Sequence, residues 1–357
     1  MRVEGVATEA VVVPLARPVR TASGTVDRAP LVLIDLVTDD GVAGHAYVFS
    51  YYPWALHPLE ELVGALGGLI RGEPVVPATI SATLRRRAML LGSRNLVGMA
   101  ISGLDTAAWD ALAQSAGLPL VELLGGTATG IPAYDSLGMF GADEAGDAAA
   151  GSVARGFRAL KIRLGFPTLE DDLAAVRAAR AAIPGDVSLM VDYNQSLSPV
   201  EAIRRGRALD GEGVAWIEEP IRADDLRNCA RVAAEVATPI QIGENLNGVL
   251  ELRDAITVGA SDLLMPDLQQ IGGVSGWLEA AALTHTAGIP MSNHLFVEAS
   301  AHLLAVTPTG QWLEYLDLAG PVIEEPAVVR DGHLVASGRA GLGLAWDPDA
   351  VKRYRVA

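Results

Sequence analysis

Residues 159–166 read ALKIRLGF, an apolar run broken only by Lys161 and Arg163. On a β-strand, residues i and i+2 project to the same side. This run therefore presents two cations together from an otherwise buried strand, and buried charge is costly unless an anion meets it. Of the 27 basic residues only Lys161 and Lys352 are lysine. A lone lysine inside such a strand is not incidental.

Further ionisable residues stand where other short apolar runs end: Asp192 and Asn194, Glu218 and Glu219, Glu244, Asp267, His294 and Glu314. The intervals are 26 residues from Asp192 to Glu218, 26 to Glu244, 23 to Asp267 and 27 to His294. A strand, a helix and two loops take about 25–30 residues, judged from ~250 for eight such units. The pattern places one ionisable group per strand end, at the face where such barrels keep their active sites. Asp192, Glu218 and Glu244 on adjacent strand ends would repel one another in a low-dielectric mouth. A divalent cation relieves that, and an all-oxygen set without cysteine points to magnesium rather than zinc. Singly, each reads better as a solvated loop acid or a helix cap; three in register do not. Asp267 and His294 fall on consecutive strand ends, about 4.8 Å apart. A carboxylate there fixes the imidazole tautomer and tunes the other ring nitrogen as an acid or base. His45, His57, His285, His302 and His333 read as structural histidines.

The elements that must position these groups are legible as periodicity. Residues 9–50 alternate Val-rich runs with turn signals (EAVVVPL, APLVLIDLVTDDG, VAGHAYVF), which predicts an antiparallel meander. Residues 53–120 carry helical spacing, as in VGMAISGLDTAAWDALAQSAG. From about 131, eight strand-like runs (IPAYDS, RALKIRL, VSLMVDYNQ, VAWIEEP, PIQIGEN, DLLMPDLQQ, IPMSNHLF, QWLEYLD) mostly alternate with Ala- and Arg-rich helical stretches. That predicts an α/β fold, a (β/α) barrel. A doubly wound sheet is the competitor, but no GxGxxG or GxxxxGK[ST] supports its nucleotide-binding forms. The expected organisation is a capping domain over 1–128, a barrel over 129–318 and a segment, 319–357, that packs back toward the cap.

Composition bounds the rest. Half of the 357 residues are hydrophobic, mean hydropathy is +0.29 and net charge is −16. A large core is expected, and no basic run suggests a nucleic-acid or membrane-surface partner. The single cysteine, Cys229, excludes an intrachain disulfide or a cysteine zinc site. With no signal-like start and no uncharged apolar run of about 18 residues, the expectation is a soluble cytoplasmic protein.

Together these residues resemble the enolase superfamily, and within it the mandelate racemase subgroup. The motifs PLARPVRTASGT, APLVLIDL, MVDYNQSL, WIEEP, IGGVSGW, HLFVEASAHLLA and LDLAG carry the resemblance nearly end to end. It implies a modified TIM barrel with an α+β cap, a magnesium ion, and removal of the proton α to a carboxylate through an enediolate. It implies magnesium ligands at Asp192, Glu218 and Glu244, and a His294 base paired with Asp267. It implies Lys161 against the substrate carboxylate and Glu314 as a protonated acid hydrogen-bonding the enediolate. Asn194 and Ser136 would be polar helpers, and Val19, Val26 and Tyr51 an apolar roof. It also implies a homo-oligomer, commonly an octamer, acting on a small carboxylate. One position departs: the racemase pattern has lysine at both cationic positions of the ALKIRLGF strand, and here the second is Arg163. A buried lysine can be tuned into a base, whereas arginine is a poor one. Ser23 and Tyr315 are also more polar than a mandelate pocket wants.

Three readings follow. The first is racemisation or epimerisation of a 2-hydroxy acid, favoured by the Val-lined cap. The second is an acid-sugar dehydratase using His294 as acid and base with Arg163 binding substrate, favoured by the chemistry of arginine. The third, a barrel that only binds carboxylates, is opposed by the acid triad and the Asp267–His294 pair.

Overall fold

The Val-rich runs pair as a three-stranded antiparallel sheet, β1 (Val3–Thr21), β2 (Gly24–Thr38) and β3 (Ala43–Phe49), in that spatial order. The computed structural model describes every residue except Ser23 and Ala357. β2 is buried on both faces, and its side chains divide by alternation. Val32, Ile34 and Leu36 join a core with the helices α1 (Pro53–Gly68), α2 (Pro77–Arg87) and α3 (Asn95–Ser115), while Leu31 and Leu33 join the core shared with the barrel. Gly44 lets β3 lie directly on α3, since a Cβ there would sit 2.0 Å from the Ala107 carbonyl oxygen. A short helix, α4 (Leu120–Leu123), ends this part.

The barrel follows as β4 (Gly130–Met139), α5 (Ala142–Ala154), β5 (Ala159–Arg163), α6 (Leu169–Ala181), β6 (Ser188–Asp192), α7 (Pro199–Leu209), β7 (Val214–Glu218), α8 (Leu226–Glu235), β8 (Ile240–Ile242), α9 (Gly248–Val258) and β9 (Leu263–Leu264). Then come α10 (Leu268–Ile271), α11 (Gly273–Ala287), α12 (Val297–Leu304) and β10 (Leu313–Tyr315). The strands are parallel in the order β10-β4-β5-β6-β7-β8-β9. The run IPMSNHLF differs from the expectation of a strand. Residues 291–294 are joined to their neighbours only by single parallel bridges, Leu264 to Met291, Asp267 to His294 and Met291 to Gly310. Pro266 and Pro290 accept hydrogen bonds here but have no N–H to donate, so no continuous ladder forms. The architecture is a modified TIM barrel with an α+β cap.

The last stretch runs between the two parts. β11 (His333–Val335) adds antiparallel to β4, and α13 (Pro348–Tyr354) leads to a bridge between Arg355 and Val11 of β1. Trp346 Nε1 donates to Asp35 of β2 at 2.7 Å. Among the described residues, no helix is long and apolar enough to cross a membrane.

Candidate active site

The register of β5 sets the floor of the site. Lys161 lies beside Ser136 of β4 and Met190 of β6, and Arg163 beside Asp192. Both side chains are buried, as the i, i+2 spacing predicts. Lys161 Nζ ion-pairs with Glu218, lies 2.9 Å from Glu314 Oε1 and 3.7 Å from Asp192 Oδ2, and sits over the Tyr134 ring. Burial works to lower the Lys161 pKa, but Glu218 and Glu314 outweigh it and raise it well above its ordinary value. One ammonium cannot satisfy all its acids. Glu218 is pushed up to about 8 by burial, against Lys161 and with Asp192, Glu314 and Glu244 adding to the rise.

Arg163 is held rigidly. Its NH1 donates to the Leu137 carbonyl at 2.6 Å and its Nε to Asn194 Oδ1 at 3.0 Å, with Asp192 Oδ2 3.5 Å from Nε. Asn194 in turn donates to Asp192 Oδ2 at 2.9 Å.

On the other arc, Asp267 divides its oxygens. Oδ1 accepts the Gln269 and Gln270 N–H groups at 2.8 and 3.1 Å, and Oδ2 meets His294 Nδ1 at 2.7 Å. The imidazole is thus anchored through a carboxylate that is itself anchored. Its Nε2 lies 3.3 Å from Glu244 Oε2 and 3.9 Å from Glu314 Oε2. Burial lowers the His294 pKa, but Glu244, Asp267 and Glu314 overcome this and carry it to about 10. Asn293 fixes Glu314 by accepting its backbone N–H at 2.8 Å.

Burial raises the Glu314 pKa, but Lys161 first and then His294 and Arg163 pull it to about 2. Ser136, on β4, lies beside Lys161, and Tyr315 follows Glu314 on β10. Both line a neighbouring cavity rather than the one that His294 and Arg163 share. The Tyr315 hydroxyl donates to the Ala327 carbonyl at 3.1 Å. Ser23 lies outside the described residues.

Asp192, Glu218 and Glu244 come from β6, β7 and the turn after β8, with Asp192 and Glu218 directly cross-strand. Among the described residues no three His, Cys, Asp or Glu side chains converge into a ready metal cage. The three acids turn instead toward Lys161 and His294. The donor set itself fits a hard divalent cation: three buried carboxylates, two of them with pKa values raised by burial and by neighbouring acids against the pull of Lys161 and His294.

The pocket above, about 310 Å³, is polar below and largely apolar above, where Thr21 and Thr25 also line it. Arg163, Asn194, Glu244 and His294 form the lower part, and the expected Val19, Val26 and Tyr51 join Phe49, Leu316 and Leu318 at the top. Tyr51, Asn194, Gln195 and Leu295, all lining it, have φ between 43° and 61°, a strained backbone that packing must hold. The sequence pattern passed over Phe49 and Leu318, and it placed Glu219 at a strand end without giving it a role. Glu219 is buried, turned by a φ of 34°, and accepts from Asn245 Nδ2 at 2.6 Å. Its signal was the second acid of WIEEP, which strand alternation alone would aim away from Glu218.

Known proteins resemble this chain over its whole length. Residues 4–125 match the mandelate racemase / muconate lactonizing enzyme N-terminal domain, and residues 144–350 the enolase C-terminal domain-like family. An enolase from Bradyrhizobium, solved in complex with magnesium and mandelic acid, is 47% identical with a TM-score of 0.96, covering 100% of this chain and 99% of its own. The L-talarate/galactarate dehydratase of Salmonella typhimurium LT2 is 30% identical over 98% of this chain and 90% of its own length. The D-galactarolactone cycloisomerase of Agrobacterium fabrum C58 is 31% identical over 100% and 99%. With both domain models matched and relatives that are enzymes throughout, the chain is an enzyme of the enolase superfamily, in its mandelate racemase subgroup.

Proposed function

We propose that this enzyme racemises a 2-hydroxy carboxylate carrying an apolar, aryl-sized group, as mandelate does, with magnesium as cofactor. The observation that carries the reading is the upper half of the pocket. Its walls are mostly Val, Phe, Tyr and Leu, with Thr21 and Thr25 among them, and the only cationic groups among the described lining residues are Arg163 and His294, both at the bottom. A sugar diacid would bring a second carboxylate against that roof with no cation to meet it, and an unpaired buried charge is strongly rejected. The Bradyrhizobium structure with mandelic acid supports the same ligand class.

A proton α to a carboxylate is a very weak acid, because its removal builds a second negative charge. Asp192, Glu218 and Glu244 would hold the magnesium, which when bound supplies positive charge where that negative charge grows. Lys161, kept protonated by Glu218 and Glu314, adds a second fixed charge at the pocket floor. His294 keeps its Nδ1–H on Asp267, so Nε2 is the atom that takes and returns the α-proton on its face. Arg163 faces the same space and would serve the opposite face. The cap excludes water over the reacting carbon.

Dehydration stays the second reading because of one observation. Arg163 is fastened at Nε and NH1, as a group that holds an anion would be. One experiment separates the readings: each enantiomer of mandelate is incubated with enzyme and magnesium in D₂O and followed by NMR. Exchange and interconversion of both enantiomers is the expected result. Exchange of one enantiomer only would mean that His294 acts alone and would sink racemisation. A 2-keto product from a sugar acid, with mandelate inert, would establish the dehydratase. Inertness toward all acids tried would leave a binding barrel.

A further inference from the structure

The substrate pocket has a neighbour. A second cavity of about 310 Å³ lies behind a wall to which Leu15, Val19 and Leu316 contribute, since all three line both spaces. Val19 pairs with Val26, whereas Leu15 sits on a weakly held part of β1. Its register with β2 breaks between Pro14 and Val19, so residues 15–18 have no ladder partner on β2.

Something else fixes that stretch. Arg17 NH2 donates to Asp135 Oδ1 at 2.6 Å and NH1 to Oδ2 at 3.3 Å, a two-pronged pair with a fully buried carboxylate on β4. Such forked, charge-assisted pairs set geometry as well as energy. Further along, Gly138 of β4 brings the two backbones together, because a Cβ there would lie 2.9 Å from the Arg20 amide nitrogen. Asp135 also pairs with Arg155, which follows α5. Of the two arginines only Arg17 crosses from cap to barrel.

We propose that the Arg17–Asp135 bridge holds Leu15 and Val19 in place as a partition, which makes Arg17 a positioning residue that sets how large a substrate the pocket admits. With the bridge gone, the unladdered stretch relaxes and the two cavities run together, admitting 2-hydroxy acids bulkier than mandelate. The size effect rests on the 2-hydroxy acid reading above; the tether does not. Asp135 keeps Arg155 in an Arg17 variant, so no uncompensated buried charge is created.

The test compares wild type with Arg17→Ala, Arg17→Lys and Arg155→Ala by two measurements. Amide hydrogen exchange over residues 15–19 is expected to speed up in Arg17→Ala and to stay as in wild type in Arg155→Ala. Steady-state kinetics on mandelate and 2-naphthylglycolate should show the kcat/KM ratio moving toward the naphthyl acid by about tenfold or more in Arg17→Ala, the scale of admitting or refusing apolar groups. The shift should come mainly through KM, with Arg17→Lys between, because it keeps the charge but loses the fork. Unchanged exchange with an unchanged ratio would overturn the proposal. So would an equal shift in Arg155→Ala, which would make the effect one of neutralising Asp135 rather than of tethering the cap. If wild type turns over neither acid, the 2-hydroxy acid reading fails, and the exchange comparison still decides the tether.

Discussion

His294 and Arg163 reach the same pocket from different arcs of the barrel, and their surroundings differ in kind. The imidazole has one nitrogen committed to Asp267 and the other turned toward the site, among acids that favour its charged form. The guanidinium is fastened at Nε and NH1, to an amide oxygen and a carbonyl. One side is built to hold a movable proton, the other to hold still. A racemase asks both faces of a carbon for the same service, so the asymmetry is where its chemistry can be broken most directly.

The largest effect belongs to His294. His294→Asn keeps a polar side chain of smaller reach and removes the base, so α-proton exchange in D₂O should fall by about 10³-fold or more, the upper range for general acid–base catalysis. Circular dichroism should be unchanged. Retention of exchange within about tenfold for both enantiomers would show that the anchored imidazole is not the base.

Asp267→Asn comes next. The amide can still cap α10 through its oxygen, but its NH₂ faces Nδ1 and favours the wrong tautomer, with the proton on Nε2. Exchange should fall by about 10²-fold, in kcat more than in KM. A loss confined to KM would make Asp267 a packing residue.

Arg163→Lys sharpens the comparison rather than breaking it. A lysine buried against fewer hydrogen-bond partners loses a proton far more readily than an arginine, which would be a slow base. Racemisation should rise about tenfold, while exchange on the His294 face changes little. An unchanged or lower racemisation rate would mean that the arginine already serves its face, or that its fixed donors are what the site needs.

The side of the site that was legible in the sequence is the side set by period. One ionisable group every 23 to 27 residues is a property of repeating βα units, so Asp192, Glu218, Glu244, Asp267 and His294 could be found as a series. His294 and His302 are also told apart by what stands near them. His302 accepts from the Val121 amide in an environment whose burial lowers its pKa to about 4, the behaviour of a structural histidine. What period cannot convey is the meeting of distant segments. Phe49 is carried over the mouth because Gln269, beside Asp267, bonds both its N–H and its C=O, at 2.9 and 3.2 Å. Arg17 meets Asp135 across 118 residues at a break in register that alternation does not announce. Which of two adjacent cavities a strand-end side chain such as Ser136 or Tyr315 enters depends likewise on the wall between them.

Tyr315 gives the smallest expected effect and the most specific test of that wall. It follows Glu314 on β10, so alternation turns it away from the acid that meets Lys161. Its ring packs near Phe157 with centroids 5.7 Å apart, and its hydroxyl is spent on the Ala327 carbonyl. Tyr315→Phe should leave kcat and KM for mandelate within about twofold and cost about 1 kcal/mol of stability, the scale of one hydrogen bond. A change in substrate preference without loss of stability would place the hydroxyl in the substrate pocket after all. It would then follow that the wall of Leu15, Val19 and Leu316 does not separate the two cavities while the enzyme turns over.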